Sequence, residues 1–175
     1  MDGSLGVPEP TSVGIVGHSR GGGIAILAAA NNTDYAALVT WAAISHVNRW
    51  SPEQVASWRA SGQIDIVNAR TGQVLPMLLD TLEDVERNGA GSLDVAKAAS
   101  AIRVPWLLIH GQADEAVPGT EAERLAALST SPDFELVTLE GAGHTFGAAH
   151  PWAGTNPTLD QVFDRSVNFL ALHLD

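Results

Sequence analysis

The stretch "TSVGIVGHSRGGGIAILAAANN" (residues 11–32) carries two different periodicities, one on each side of a single serine. Its opening "TSVGIVG" (11–17) is a short apolar run ending in glycine, the pattern of a strand buried on both faces. Its closing "GGGIAILAAANN" (21–32) is Ala-rich with helical spacing and stops at Asn31 and Asn32. Ser19 therefore sits in a sharp strand-to-helix turn, with Gly17 and Gly21 two residues away on either side. Such a turn forces the serine into a strained backbone conformation, so side chains at both flanking positions are expected to collide. The turn also lifts the hydroxyl clear of the sheet edge and aims the first N–H groups of the helix at negative charge on a bound acyl group.

The same alternation continues along the chain. "AALVTWAAIS" (36–45), "VPWLLIHG" (104–111) and "FELVTLEG" (134–141) read as three more strands. "GTEAERLAALS" (119–129) and "TLDQVFDRSVNFLALHL" (158–174) read as amphipathic helices. Strands alternating with helices predict a three-layer α/β/α domain with a mainly parallel sheet of about four strands. Between the second and third strands lies a longer passage. "SPEQVASWRASG" (51–62) has a capping Ser and a first-turn Pro and stops at Gly62, which predicts a short helix. "IDIVNARTGQVLP" (64–76) alternates around a "TG" turn as a hairpin does, and 76–89 and 92–102 read as helices. Residues 46–102 are thus expected to include a small cap-like insertion in one domain running from 1 to 175.

Composition narrows the function classes. The chain has 175 residues, 45% of them hydrophobic, enough for one ordinary globular core. Nine Lys and Arg against 20 Asp and Glu give a net charge of -11, which repels nucleic acid phosphates and anionic membrane surfaces. The absence of cysteine excludes a disulfide framework, a thiolate metal site and a thiol nucleophile. The acidic start "MDGSLGVPEP" lacks the pattern of a secretory signal, and no apolar run is long enough for a bilayer, so a cytoplasmic location is expected.

Two later residues complete a nucleophilic constellation with Ser19. Asp114, in "LLIHGQADEAVP", falls just past the third strand, at the sheet edge where loops share a crevice. Glu115 beside it is the competing carboxylate. His144, in "LEGAGHTFG", follows the fourth strand in a Gly-rich loop that lets an imidazole reach Ser19. A neutral imidazole accepts the serine proton, while a carboxylate fixes its tautomer and stabilises the imidazolium. Of the other histidines, His18 and His110 are expected to support the catalytic turns, while His46 and His150 read as packed or solvated polar residues, with lining of the pocket as the alternative. Trp41, Trp106 and Trp152 are the tryptophans nearest to loops that shape it. No histidine spacing matches a metal site, and no cofactor is required.

"GHSRGG", "HGQADEAVP" and "GAGHTF", in that order, resemble the α/β-hydrolase superfamily, and most closely its dienelactone-hydrolase-like and prolyl-oligopeptidase-like serine esterase branches. The likeness runs from about residue 11 to the end. It implies a nucleophile at Ser19, an acid at Asp114, a base at His144 and one oxyanion donor at the backbone N–H of Arg20. Dienelactone hydrolases proper use cysteine, so Ser19 speaks against that lactonase activity. The resemblance also implies four strands and a second oxyanion donor ahead of the nucleophile turn, where this sequence has about ten residues. One donor fewer costs about 2.7–4 kcal/mol of transition-state stabilisation, so slow catalysis is expected. With "TSVGIVG" then at the sheet edge, a homodimer through residues 11–17 is expected to cover it. The function expected is cleavage of small acyl esters. The alternatives are an amide or peptide hydrolase of the same superfamily and a silent remnant that binds a partner.

Overall fold

In the computed structural model, which describes residues 10–68 and 71–174, the chain alternates strands and helices. In chain order these are β1 (Val13–His18), α1 (Arg20–Asn31), β2 (Tyr35–Trp41), α2 (Pro52–Ser61), β3 (Gln63–Val67) and β4 (Val74–Leu78). There follow α3 (Leu79–Asn88), α4 (Val95–Ala99), β5 (Trp106–Gly111), α5 (Gly119–Leu128), β6 (Phe134–Leu139) and α6 (Pro157–His173). The acidic N-terminus at 1–9 and two residues of the hairpin turn, 69 and 70, lie outside the described residues.

Four strands form one parallel sheet in the order β1-β2-β5-β6. Successive strand residues alternate between its two faces. Leu38, Trp106 and Leu108 join one core with Ala25, Ile26, Val95, Ala99 and Leu125 from α1, α4 and α5. Ala37, Val39, Leu107 and Ile109 join the opposite core with Leu159, Val162 and Phe169 from α6. Two helical layers thus enclose the sheet, and this explains why β2 and β5 read as unbroken apolar runs. Leu38 and Leu108 are fully buried, a position where truncation to alanine typically costs about 2–5 kcal/mol.

The stretch between β2 and β5 divides. The Ser51 hydroxyl accepts the Gln54 N–H while the Gln54 side chain accepts the Ser51 N–H, and Gly62 ends α2 in the left-handed region at φ 79°. β3 and β4 form the antiparallel hairpin, separate from the main sheet. It is longer than its sequence pattern suggests: Gln63 joins β3, Met77 and Leu78 extend β4 past Pro76, and α3 starts only at Leu79. The helix expected over 92–102 shortens to Val95–Ala99, capped by Asp94 on the Lys97 N–H, and packs with α1 and α5 in the main core. β2 also ends earlier than expected, at Trp41, because Ala42 turns the chain with φ 46°. Among the described residues β1 pairs with β2 alone and leaves Val13 43% and Val16 46% exposed. No described helix is long and apolar enough to cross a membrane.

Candidate active site

All four strands of the parallel sheet point the same way, so the segments following β1, β2, β5 and β6 emerge along one rim. Ser19 is the first residue after β1 and the cap of α1, with φ 56° and ψ -122°. A non-glycine residue at positive φ typically stores about 1–3 kcal/mol of strain. The conformation is held by the Ser19 N–H donating to Trp41 O at 2.8 Å, and by the Ser19 carbonyl accepting from Gly22 at 3.0 Å and Ile44 at 3.3 Å. Gly17 permits the turn, since a Cβ there would press on the carbonyl of Gly21 and lie 2.8 Å from Cβ of Ala25. The expected crowding at Gly21 is absent, because a Cβ there meets nothing within 4 Å. Helix packing makes that demand further along: a Cβ on Gly22 would meet Cβ of Ala43 at 2.6 Å, and one on Gly23 would meet Ile44 at 2.7 Å.

Asp114 lies three residues past β5, with its side chain fully buried. Its Oδ1 accepts the N–H groups of Ala116 at 2.9 Å and Val117 at 2.8 Å, and Oδ2 lies 2.8 Å from Nδ1 of His144. The competing Glu115 is exposed to solvent. Nε2 of His144 lies 2.9 Å from Oγ of Ser19. The three side chains named from the sequence therefore meet in one line of hydrogen bonds, drawn from loops that are 125 and 30 residues apart. The loops that carry Asp114 and His144 approach closely because β5 ends in Gly111, where a Cβ would collide with the backbone of Ala142 and Gly143.

The supporting histidines behave differently from one another. His18 donates from Nε2 to the carbonyl of His144 at 2.8 Å, and the two rings pack at a tilt of 43° with centroids 4.7 Å apart. His110 is buried and donates from Nε2 to Val117 O at 2.8 Å, which braces the acid loop. His150 lines the cleft. His46 does not; it faces Glu121 at 3.2 Å. Trp106 is likewise not at the site, since it opens β5 at the opposite rim, fully buried with Nε1 on Thr40 Oγ1 at 2.9 Å. Trp41 and Trp152 do line a side cavity of about 240 Å³, together with His18, Phe146 and Phe163.

Ser19 and His144 open into a cleft of about 600 Å³ that is also lined by Asn68, Thr145, Ala148 and His150. Asn68 escaped the sequence reading; it stands at the end of β3, so the hairpin reaches over the serine. Asn156 escaped it too. Its Oδ1 caps α6 by accepting from Thr158 and Leu159, and its amide donates to Phe146 O at 3.2 Å, fixing the loop after His144. The Asn-Pro pair at 156–157 was the available signal. The Arg20 amide is the first of α1, at the helix end where N–H groups point outward along the axis. The Arg20 side chain turns aside over the Trp50 ring at 5.5 Å, and burial, then neighbouring Arg49, lower its pKa. Among the described residues no group of three or more His, Asp or Glu is arranged to hold a metal ion.

The profile of the prolyl oligopeptidase family matches residues 4–175. A 2,6-dihydropseudooxynicotine hydrolase of Paenarthrobacter nicotinovorans is 25% identical over 136 residues, covering 76% of this chain and 33% of that protein. Among solved structures, a monoacylglycerol lipase of Paleococcus ferrophilus superposes with a TM-score of 0.62 at 20% identity, covering 93% of this chain and 69% of that one. DcsB, solved with a substrate analogue, superposes with a TM-score of 0.74 at 15% identity, over 98% of this chain and 68% of that one. The chain thus spans a third of the curated relative's length and about two thirds of these solved chains.

Proposed function

The chain belongs to the prolyl oligopeptidase family and has the α/β-hydrolase fold, and from that premise we propose that it is a serine carboxylesterase acting on small acyl esters. One observation carries the reading: Oγ of Ser19 at 2.9 Å from Nε2 of His144, with Nδ1 of the same ring at 2.8 Å from Asp114. In the proposed reaction Ser19 Oγ attacks the ester carbonyl as His144 Nε2 takes its proton, and Asp114 stabilises the imidazolium. The Arg20 N–H donates to the oxyanion at the helix end. His144 then returns the proton to the leaving alkoxide, and the alcohol departs from an acyl-Ser19. A water molecule, deprotonated by the same imidazole, attacks the acyl group and releases the acid. No cofactor enters either half.

Support for an ester over a larger substrate comes from the cleft. It shares His18, Thr145 and Ala148 with the side cavity of about 240 Å³, whose Trp41, Phe146 and Phe163 offer apolar surface suited to a short acyl chain. The family name favours the second reading, an amide or peptide hydrolase. Fluorophosphonate treatment followed by intact mass is the deciding test of either. A single adduct, lost in Ser19→Ala, is expected, and an unmodified wild-type chain would leave the silent-remnant reading standing. Turnover of p-nitrophenyl acetate without turnover of aminoacyl p-nitroanilides separates the two enzyme readings. The proposal includes assembly: the apolar edge of β1 pairs with its copy about a two-fold axis and joins two four-stranded sheets.

A further inference from the structure

Asp114 is presented to His144 by a short turn, and that turn is gripped from outside. Ala116 and Val117 give their N–H groups to Asp114 Oδ1, and their carbonyls take donors from elsewhere in the fold. Each of those carbonyls meets one side chain. The Val117 carbonyl accepts from buried His110, as described above. The Ala116 carbonyl accepts from Nη2 of Arg49 at 2.7 Å, although Arg49 lies 67 residues earlier in the chain.

Arg49 is itself held by a carboxylate that the proposed reaction does not use. Its Nη1 is buried and faces Glu121 Oε1 at 3.5 Å without a hydrogen bond. Glu121 is 7% exposed on α5, and its Oε2 accepts the Ser45 N–H at 2.6 Å and faces Nδ1 of His46 at 3.2 Å. The residue before Ser45 is Ile44, whose N–H binds the carbonyl of Ser19. A continuous path therefore runs behind the three reactive side chains, from the serine turn through 44–45 to Glu121, Arg49, Ala116 and Asp114. It ties the nucleophile's backbone to the acid's without passing through the imidazole.

We propose that Arg49 and Glu121 are positioning residues that fix the acid-bearing turn relative to the nucleophile turn, so that Asp114 meets His144 in line with Ser19. The inference rests on the serine hydrolase reading for its kinetic consequence only, since the geometry it claims is that of Asp114 and His144. Glu121 alone would be an ordinary buried ion pair. What sets it apart is that its two oxygens divide between the serine side and the acid side of the site. Arg49 suits the task because a guanidinium engages a carbonyl and a carboxylate from a fixed planar fork, which an ammonium does not reproduce.

The experiment compares full-length wild type with Arg49→Ala, Arg49→Lys and Glu121→Gln. Two readouts are used: the low-field proton resonance of His144 Nδ1–H and the second-order rate of fluorophosphonate labelling at Ser19. In Arg49→Ala the resonance is expected to be lost and labelling to slow by about tenfold to hundredfold, the scale of a misplacement near 1 Å. Added methylguanidinium is expected to restore both, Arg49→Lys to recover only part, and kcat for p-nitrophenyl acetate to fall with KM unchanged. Glu121→Gln, nearly isosteric, carries the test if Arg49→Ala fails to fold. Folded variants with wild-type resonance and labelling rate would overturn the proposal while leaving the hydrolase reading intact. A wild-type chain that resists labelling yet loses the resonance in Arg49→Ala would do the reverse. A labelling loss in Arg49→Ala that methylguanidinium does not relieve also counts against positioning, because it indicates general loosening of the fold.

Discussion

Gly17 and Gly21 are symmetric in the sequence motif and unequal in the structure, so substituting each with alanine separates the two accounts. In Gly17→Ala the new methyl meets Ala25 Cβ at 2.8 Å and the carbonyl of Gly21. A backbone carbonyl cannot rotate away as a side chain does. Restoring an ordinary contact of 3.4 Å to Ala25 alone requires α1 and β1 to part by about 0.6 Å, and the closer carbonyl of Gly21 demands more. Ser19 lies between them, and the same displacement would carry its 2.9 Å bond to His144 beyond hydrogen-bond reach. Overpacking of this kind costs about 1–3 kcal/mol. For a chain of this size that lowers Tm by roughly 2–12 °C, and labelling should slow on the order of tenfold to hundredfold.

In Gly21→Ala the methyl enters open space at a helical position, where the change stabilises by about 0.4–1 kcal/mol through the unfolded chain. Tm is then expected to rise by roughly 1–4 °C, with labelling within about threefold of wild type. Thermal unfolding by circular dichroism and timed intact-mass labelling read both quantities from one preparation. Equal losses in the two variants would refute the steric reasoning and restore the symmetric reading of the motif.

Asp114→Asn keeps the shape of the acid and removes its charge; p-nitrophenyl acetate turnover is expected to drop about 10⁴-fold with the fold retained, and a loss under tenfold would remove Asp114 from the role proposed. Burial works to raise the pKa of Glu121, but its bonds from Ser45 and the charges of His46 and Arg49 outweigh this and hold it below the ordinary 4.5. The stabilisation it contributes is then fully present above that pH and lost as pH falls through the lower folded value, so urea midpoints of wild type and Glu121→Gln should converge below about pH 4.5. A constant gap between pH 7 and pH 3 would contradict it. Light scattering after size exclusion at micromolar concentration is expected to give twice the chain mass of 18.3 kDa, and Val16→Lys, which places a charge on the β1 edge, to halve it. A soluble wild-type monomer would dispose of the edge pairing.

The sequence exposed those features whose causes are local. Ser19 announced itself because a strained strand-to-helix turn needs a glycine at Gly17 ahead of it, and the helix caps at Ser51 and Gly62 announced themselves in the same way. The meeting of Asp114 with His144 was legible because parallel strands share one rim, so a residue just past each strand is already near its partners. The failures have a common physical origin. Met77 and Leu78 read as helix but pair in the hairpin with Ile64 and Gln63, since cross-strand contact decides their state, and Pro76 is tolerated opposite Asp65 on a two-stranded edge. Trp106 was drawn toward the cleft by its neighbourhood in sequence, although a residue opening a strand belongs to the far rim.

Glu121 and Arg49 were invisible for a different reason. In "GTEAERLAALS" the glutamate looks like any solvated helix charge, and nothing local reveals that α5 turns it inward under Ser45. Burying that carboxylate beside an arginine with an unbonded Nη1 is weak as a source of stability, because desolvation of two charges offsets most of their attraction. A well-packed apolar pair would fill such a space at least as favourably. An ion pair kept there, with Glu121 bound to the backbone of Ser45 and Arg49 to that of Ala116, is better explained by the geometry it imposes than by the stability it contributes.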